Sequence, residues 1–124
     1  MRLLLDTHVF LWFLDDSRKL RAAVRSAISE ADIVYVSAAS AWEITIKVSL
    51  GKLRFPGLVE DAITRSDFSS LPVLVSHADA VASLPKLHAD PFDRLLVAQA
   101  RVEGLRIVTR DKQLRDYPVD VFLA

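Results

Sequence analysis

Four acidic side chains stand where strands and helices are expected to meet. Asp6 directly follows the apolar run "RLLL", and Asp111 follows "RIVT" with one residue between. Asp93 opens the stretch "DRLLVAQA", and Glu43 lies about one and a half turns into the helix expected after "IVYV". In open parallel sheets ligands sit beyond the carboxyl ends of the strands, so these positions aim four carboxylates at one edge. Carboxylates gathered where solvation is poor repel one another by several kcal/mol unless cations neutralise them. Oxygen ligands of this kind suit a hard cation, Mg²⁺ or Mn²⁺. Such a cation lowers the pKa of a bound water and neutralises a phosphoryl oxygen during in-line attack. The chemistry implied is phosphodiester hydrolysis.

Each acid also has a structural reading. Asp6 and Asp111 each precede an expected helical segment and are suited to N-capping it. Glu43 stands four residues before Lys47, the favourable orientation for a helical ion pair. Asp90, Pro91 and Asp93 in "DPFDRLLVAQA" read as N-cap, first helical position and capping-box acid. Caps do not require the four acids to converge, whereas a metal site does.

The elements that must position these residues alternate along the chain. Apolar runs "RLLL", "IVYV" (33–36), "LPVL" (71–74), "RIVT" (106–109) and "DVFL" (120–123) read as buried strands. Helices are expected over 7–14, 18–30, 38–50, 58–66, 77–84, 91–103 and, briefly, 112–116. This pattern predicts a single α/β domain over residues 1–124, with a parallel sheet of four to five strands and helices on both faces.

Composition narrows the partners. The chain has 124 residues, 52% of them hydrophobic, and 16 Lys+Arg against 16 Asp+Glu. Zero net charge exerts no long-range pull on nucleic acid or membrane, so a polyanion must be held by a local patch. With no cysteine, thiolate catalysis, disulfides and Cys-containing zinc sites are excluded, which fits a reducing compartment, the cytoplasm. The apolar opening "LLLDTHVFLWFL" is interrupted by Asp6 and His8 and lacks a signal-peptide cleavage pattern, and no membrane span is expected.

The stretches "LLLDTHVFLWFL", "VSAASAWEITIKVSLGKL", "LHADPFDRLLVAQA" and "IVTRD", in that order, resemble the PIN-domain ribonucleases, and among them the VapC-type toxins of toxin–antitoxin pairs. The resemblance spans nearly the whole chain. It implies a PIN fold and Mg²⁺- or Mn²⁺-dependent cleavage of RNA, with Asp6, Glu43, Asp93 and Asp111 as metal-binding acids. It also implies a hydroxyl at Thr7 beside the first acid, a VapB-type antitoxin partner and a homodimer. Asp111 is the acid that such proteins retain least strictly. On this reading Asp90 caps the helix and Asp93 faces the metal.

Lys47, Lys52, Arg54, Arg94, Arg110, Lys112 and Arg115 flank the acids and are candidates for phosphate contacts, Arg94 and Lys47 foremost; a solvated charged face explains them equally. His8 has no partner at ligand spacing and reads as a helix-face residue, and His77 and His88 are placed no better. "VFLWFL" suits core burial, a dimer interface or a groove for a partner helix. Trp42 reads as packing rather than as a base-stacking platform. A haloacid-dehalogenase-type phosphatase wants D-x-D where this chain has "DTH", and a receiver domain wants an acidic pair after the first strand, where only Asp6 stands. The remaining alternative is an inactive module that binds RNA or a protein partner without cutting.

Overall fold

The structure, a computed structural model, describes residues 1–124. Five strands form one parallel sheet: β1 (Arg2–Leu5), β2 (Ile33–Ser37), β3 (Ser69–Leu71), β4 (Arg106–Thr109) and β5 (Asp120–Leu123), in the order β3-β2-β1-β4-β5. Leu5 pairs with Val36 on one side and Val108 on the other, so the strands end together. Their carboxyl ends therefore lie along a single edge, and whatever follows each strand is delivered there. Six helices connect them: α1 (Thr7–Leu14), α2 (Ala22–Glu30), α3 (Ala38–Ser49), α4 (Val59–Arg65), α5 (Val75–Val81) and α6 (Pro91–Glu103), with a 3₁₀ turn at Lys112–Asp116.

The side-chain alternation of the central strand splits the core in two. Leu3 and Leu5 join Val34, Val36 and Val108 against Val9 and Phe10 of α1, Val24 and Ile28 of α2 and Ile63 of α4. Leu4 and Ile107 point the other way, against Leu96, Val97 and Ala100 of α6. A strand buried on both faces must be apolar at every position, and "LLL" is. α3 serves both layers, through Ile44 on one side and Ala39 on the other.

Three elements depart from the sequence reading by two residues or more. β3 occupies Ser69–Leu71 and not 71–74: Ser69 and Ser70 pair with Tyr35 and Val36, and Pro72, which has no N–H to donate, follows directly. α2 begins at Ala22 rather than near 18, because Ser17 folds the preceding residues into a turn, accepting the Lys19 N–H on its hydroxyl (3.2 Å) and the Leu20 N–H on its carbonyl (3.1 Å). α5 spans Val75–Val81 and not 77–84, since His77 Nδ1 accepts the Leu74 N–H at 2.9 Å and starts the helix two residues early. α6 matches its expected span. It opens on Asp90 and Pro91 and closes at Gly104, whose φ of 66° is the left-handed conformation a helix end commonly takes. No helix is long and apolar enough to cross a membrane.

Candidate active site

Asp6 leaves the central strand and N-caps α1, with Oδ1 accepting the Val9 N–H at 2.8 Å. Its Oδ2 accepts the Thr109 hydroxyl at 2.5 Å, which ties the end of β1 to the end of β4. Asp111, two residues beyond Thr109, caps the 3₁₀ turn through the Gln113 N–H (2.9 Å), and its own N–H donates to Thr109 Oγ1 (3.0 Å). Glu43 comes from α3, where the Thr7 hydroxyl donates to its Oε1 (2.6 Å) and Lys47 lies 3.2 Å from its Oε2. Ser40 Oγ stands 3.0 Å from the Thr7 hydroxyl. On α6, Asp90 Oδ1 accepts the Phe92 N–H (2.8 Å) and the Asp93 N–H (3.3 Å), which is the capping role expected of it. The structural duties foreseen for Asp6, Asp90, Asp111 and the Glu43–Lys47 pair are thus all present. They coexist with a shared location.

Electrostatics reveal how crowded that location is. Burial, then the like charges of Asp90, Asp6 and Glu43, push the Asp93 carboxyl up to about 7, although His88 pulls the other way. Asp6 is raised to about 6, mainly by burial, against the opposing pull of Thr109, Val9 and Arg110. Burial also raises Asp111, but the Gln113 N–H and His88 outweigh it, and this carboxyl ends below its ordinary value. Burial, Arg110 and Lys47 hold the half-buried His8 below the ordinary imidazole range.

His88 is the residue that the sequence reading undervalued. Its Nε2 lies 2.7 Å from Asp111 Oδ2 and 3.5 Å from Asp93 Oδ2. Ligand atoms of His88, Asp93 and Asp111 all fall within 4.8 Å of one another, with Asp6 and Glu43 outside that tight group. Thr109, the link between Asp6 and Asp111, was also not singled out; it ends the strand that places Asp111. Arg94, a leading candidate for phosphate contact, is instead turned inward. Its guanidinium donates to Pro85 O (2.8 Å), Val81 O (3.2 Å) and Tyr117 Oη (3.3 Å), fastening α6 to the segments around it. Arg110 lies over the Trp12 ring at 5.5 Å, and Trp42 packs edge-on against Phe92 at 5.5 Å while remaining exposed.

The chain has relatives. The PIN domain family model matches residues 3–120. Ribonuclease VapC22 of Mycobacterium tuberculosis is 30% identical over 125 aligned positions, covering 92% of this chain and 90% of that protein. The chain belongs to the PIN-domain family, in its VapC branch. Solved structures share its fold. VapBC2 from Rickettsia felis, bound to a DNA fragment from its promoter, matches with a TM-score of 0.72 at 14% identity over 99% of this chain and 98% of the other. A toxin–antitoxin complex from Klebsiella pneumoniae matches with 0.68 at 16% identity over 97% and 95%.

The donor set of this PIN domain fits a hard divalent cation. Carboxylate oxygens predominate, there is no sulfur, and burial together with neighbouring negative charge drives one carboxyl up to about 7. Lys47 at Glu43 is the only lysine or arginine paired with one of these four acids.

Proposed function

We propose that this PIN domain, comprising residues 1–124, is a metal-dependent endoribonuclease and the toxin of a VapBC-type toxin–antitoxin pair. The observation that carries the reading is the delivery of Asp6, Glu43, Asp93 and Asp111 to one sheet edge, where burial first, and then the charges of Asp90, Asp6 and Glu43, raise Asp93. These four side chains would hold Mg²⁺ or Mn²⁺, and the cation when bound would activate water for in-line attack and offset charge on the phosphoryl group. The residues around them prepare that edge. Thr7 fixes one oxygen of Glu43 and leaves the other to Lys47; Thr109 fixes Asp6. Lys47 and Arg110 border the acids and would meet backbone phosphates; after burial, their charges also depress the basicity of His8. RNA is the substrate class, a VapB-type antitoxin the protein partner, a homodimer the assembly, and the cytoplasm the compartment.

The test is cleavage of RNA by the purified protein. Activity with Mg²⁺ or Mn²⁺ that stops on adding EDTA supports the proposal, whereas undiminished cleavage in chelator sinks it. In the host, expression alone should arrest growth and co-expression of the neighbouring antitoxin should restore it. The second reading, an inactive binding module, draws on the caps and ion pair that give most of these acids structural work. RNA binding without cleavage in either metal would favour it.

A further inference from the structure

His88 sits in the loop before α6 and is joined to three parts of the site at once. The Asp90 backbone N–H donates to its Nδ1 at 3.0 Å. That nitrogen is therefore an acceptor, and in the neutral ring the proton resides on Nε2, the atom 2.7 Å from Asp111 Oδ2. A ring held in this tautomer offers the site a donor. Its Nε2 has no free lone pair with which to coordinate a cation.

The Asp90 contact explains why Asp93 closes no capping box. Asp93 stands at the third helical position after its N-cap, where an acidic or amide side chain ordinarily turns back to accept the N-cap N–H. Here that N–H is already taken by His88, and the Asp93 carboxyl is left facing the other acids. On its opposite side the imidazole fixes one oxygen of Asp111, whose second oxygen is held by the Gln113 N–H. The Asp111 N–H reaches Thr109 Oγ1, and the Thr109 hydroxyl reaches Asp6. An unbroken series of hydrogen bonds thus runs from Asp6 through Thr109, Asp111 and His88 to the Asp90 cap of the helix bearing Asp93.

We propose that His88 is a positioning residue for the acidic edge: as an Nε2–H imidazole it occupies the capping-box place of Asp93 and holds Asp111 at a fixed distance from it, so that both carboxylates are arranged before a cation arrives. The proposal rests on the metal-dependent reading given above. Residues that orient metal ligands typically contribute roughly 10- to 100-fold to metal affinity.

The experiment is calorimetric titration of Mn²⁺ into the metal-free protein, comparing wild type with His88→Ala and His88→Gln, with pulsed electron paramagnetic resonance on the bound Mn²⁺. His88→Ala should weaken binding by roughly 10- to 100-fold, and His88→Gln, whose amide N–H extends towards Asp111, should recover most of the loss. No imidazole nitrogen should couple to the Mn²⁺ in wild type. His88→Ala binding that stays within about twofold of wild type overturns the proposal, as does a directly coupled imidazole nitrogen, which would make His88 a ligand. Wild-type protein that binds no Mn²⁺ refutes the metal-dependent reading itself, a result distinct from either. Should His88→Ala fail to fold, nitrogen-15 spectra of the wild-type imidazole decide the matter, an Nε2–H tautomer supporting the assignment and an Nδ1–H tautomer overturning it.

Discussion

Asp90 and Asp93 are the same residue type three positions apart, yet their surroundings give them opposite duties. Asp90 spends one oxygen on two backbone N–H groups at the mouth of α6, whereas Asp93 is pushed up to about 7 by burial and by its acidic neighbours. Asp90→Ala should therefore cost about 0.5–2 kcal/mol of stability while leaving most of the cleavage activity at low temperature. Asp93→Asn keeps the shape and removes the charge; RNA cleavage should fall by orders of magnitude with the fold intact. Thermal unfolding in EDTA, measured beside cleavage for both variants, checks this, and an active Asp93→Asn with a stable but inactive Asp90→Ala would reverse the assignment. The positions of Asp6, Asp93 and Asp111 were legible in the sequence because each follows an apolar run or stands in the first turn of a helix, and that of Glu43 because it lies early in the helix after a strand, places that a parallel sheet brings to one edge. His88 was not, because one partner is a carboxylate 23 residues away, which leaves no mark on residue spacing, and the other is a backbone N–H. A signal was available in hindsight: a histidine two residues before an Asp-Pro helix start stands within reach of the N-cap amide.

Among the elements, α3 and α6 have to be held in register, since one carries Glu43 and the other Asp93. The bond between them is Gln99, fully buried on α6, whose Oε1 accepts the hydroxyl of Ser37 at the start of α3 (2.6 Å) and whose Nε2 donates to Pro72 O (3.1 Å). Gln99→Leu would leave the buried Ser37 hydroxyl without an acceptor and Pro72 O without its side-chain donor, and we expect a loss of about 1–3 kcal/mol, measurable by urea unfolding. A loss below about 0.5 kcal/mol would show that the pairing is not what joins the two helices. Sequence reading placed these helices well because α3 and α6 are long and periodic. It shifted β3 because the apolar "LPVL" looks more strand-like than the "SS" that precedes it. An edge strand of three residues needs little apolar surface, so backbone pairing with β2 outweighed hydrophobicity there, and Val73 and Leu74 were left exposed beyond Pro72.

At the scale of the whole molecule, the crowded acids make the metal-free domain sensitive to pH. Asp6 and Asp93 titrate at about 6 and about 7 when folded, against an ordinary 3.8, so the folded chain holds protons that an unfolded chain has already released. The stability these protons contribute is complete below about pH 4 and is lost as the pH rises through 6 and 7. Asp111, shifted the other way, contributes stability that is lost only in more acidic solution. In EDTA the domain should thus be less stable at pH 8 than at pH 5 by about 1–2 kcal/mol, after allowance for solvent screening at Asp93. Asp93→Asn should remove part of that difference, and equal wild-type stability at both values would contradict the expectation. Strand order has a consequence of another kind. β1 is made first but lies in the middle of the sheet, and Asp6 obtains its Thr109 donor from 103 residues further along. A chain emerging from the ribosome at about 5–20 residues per second carries a scattered set of acids until β4 has been made and can dock. On the proposed ribonuclease reading, the acidic edge is therefore complete only after the strand that supplies Thr109 has been made, late in synthesis.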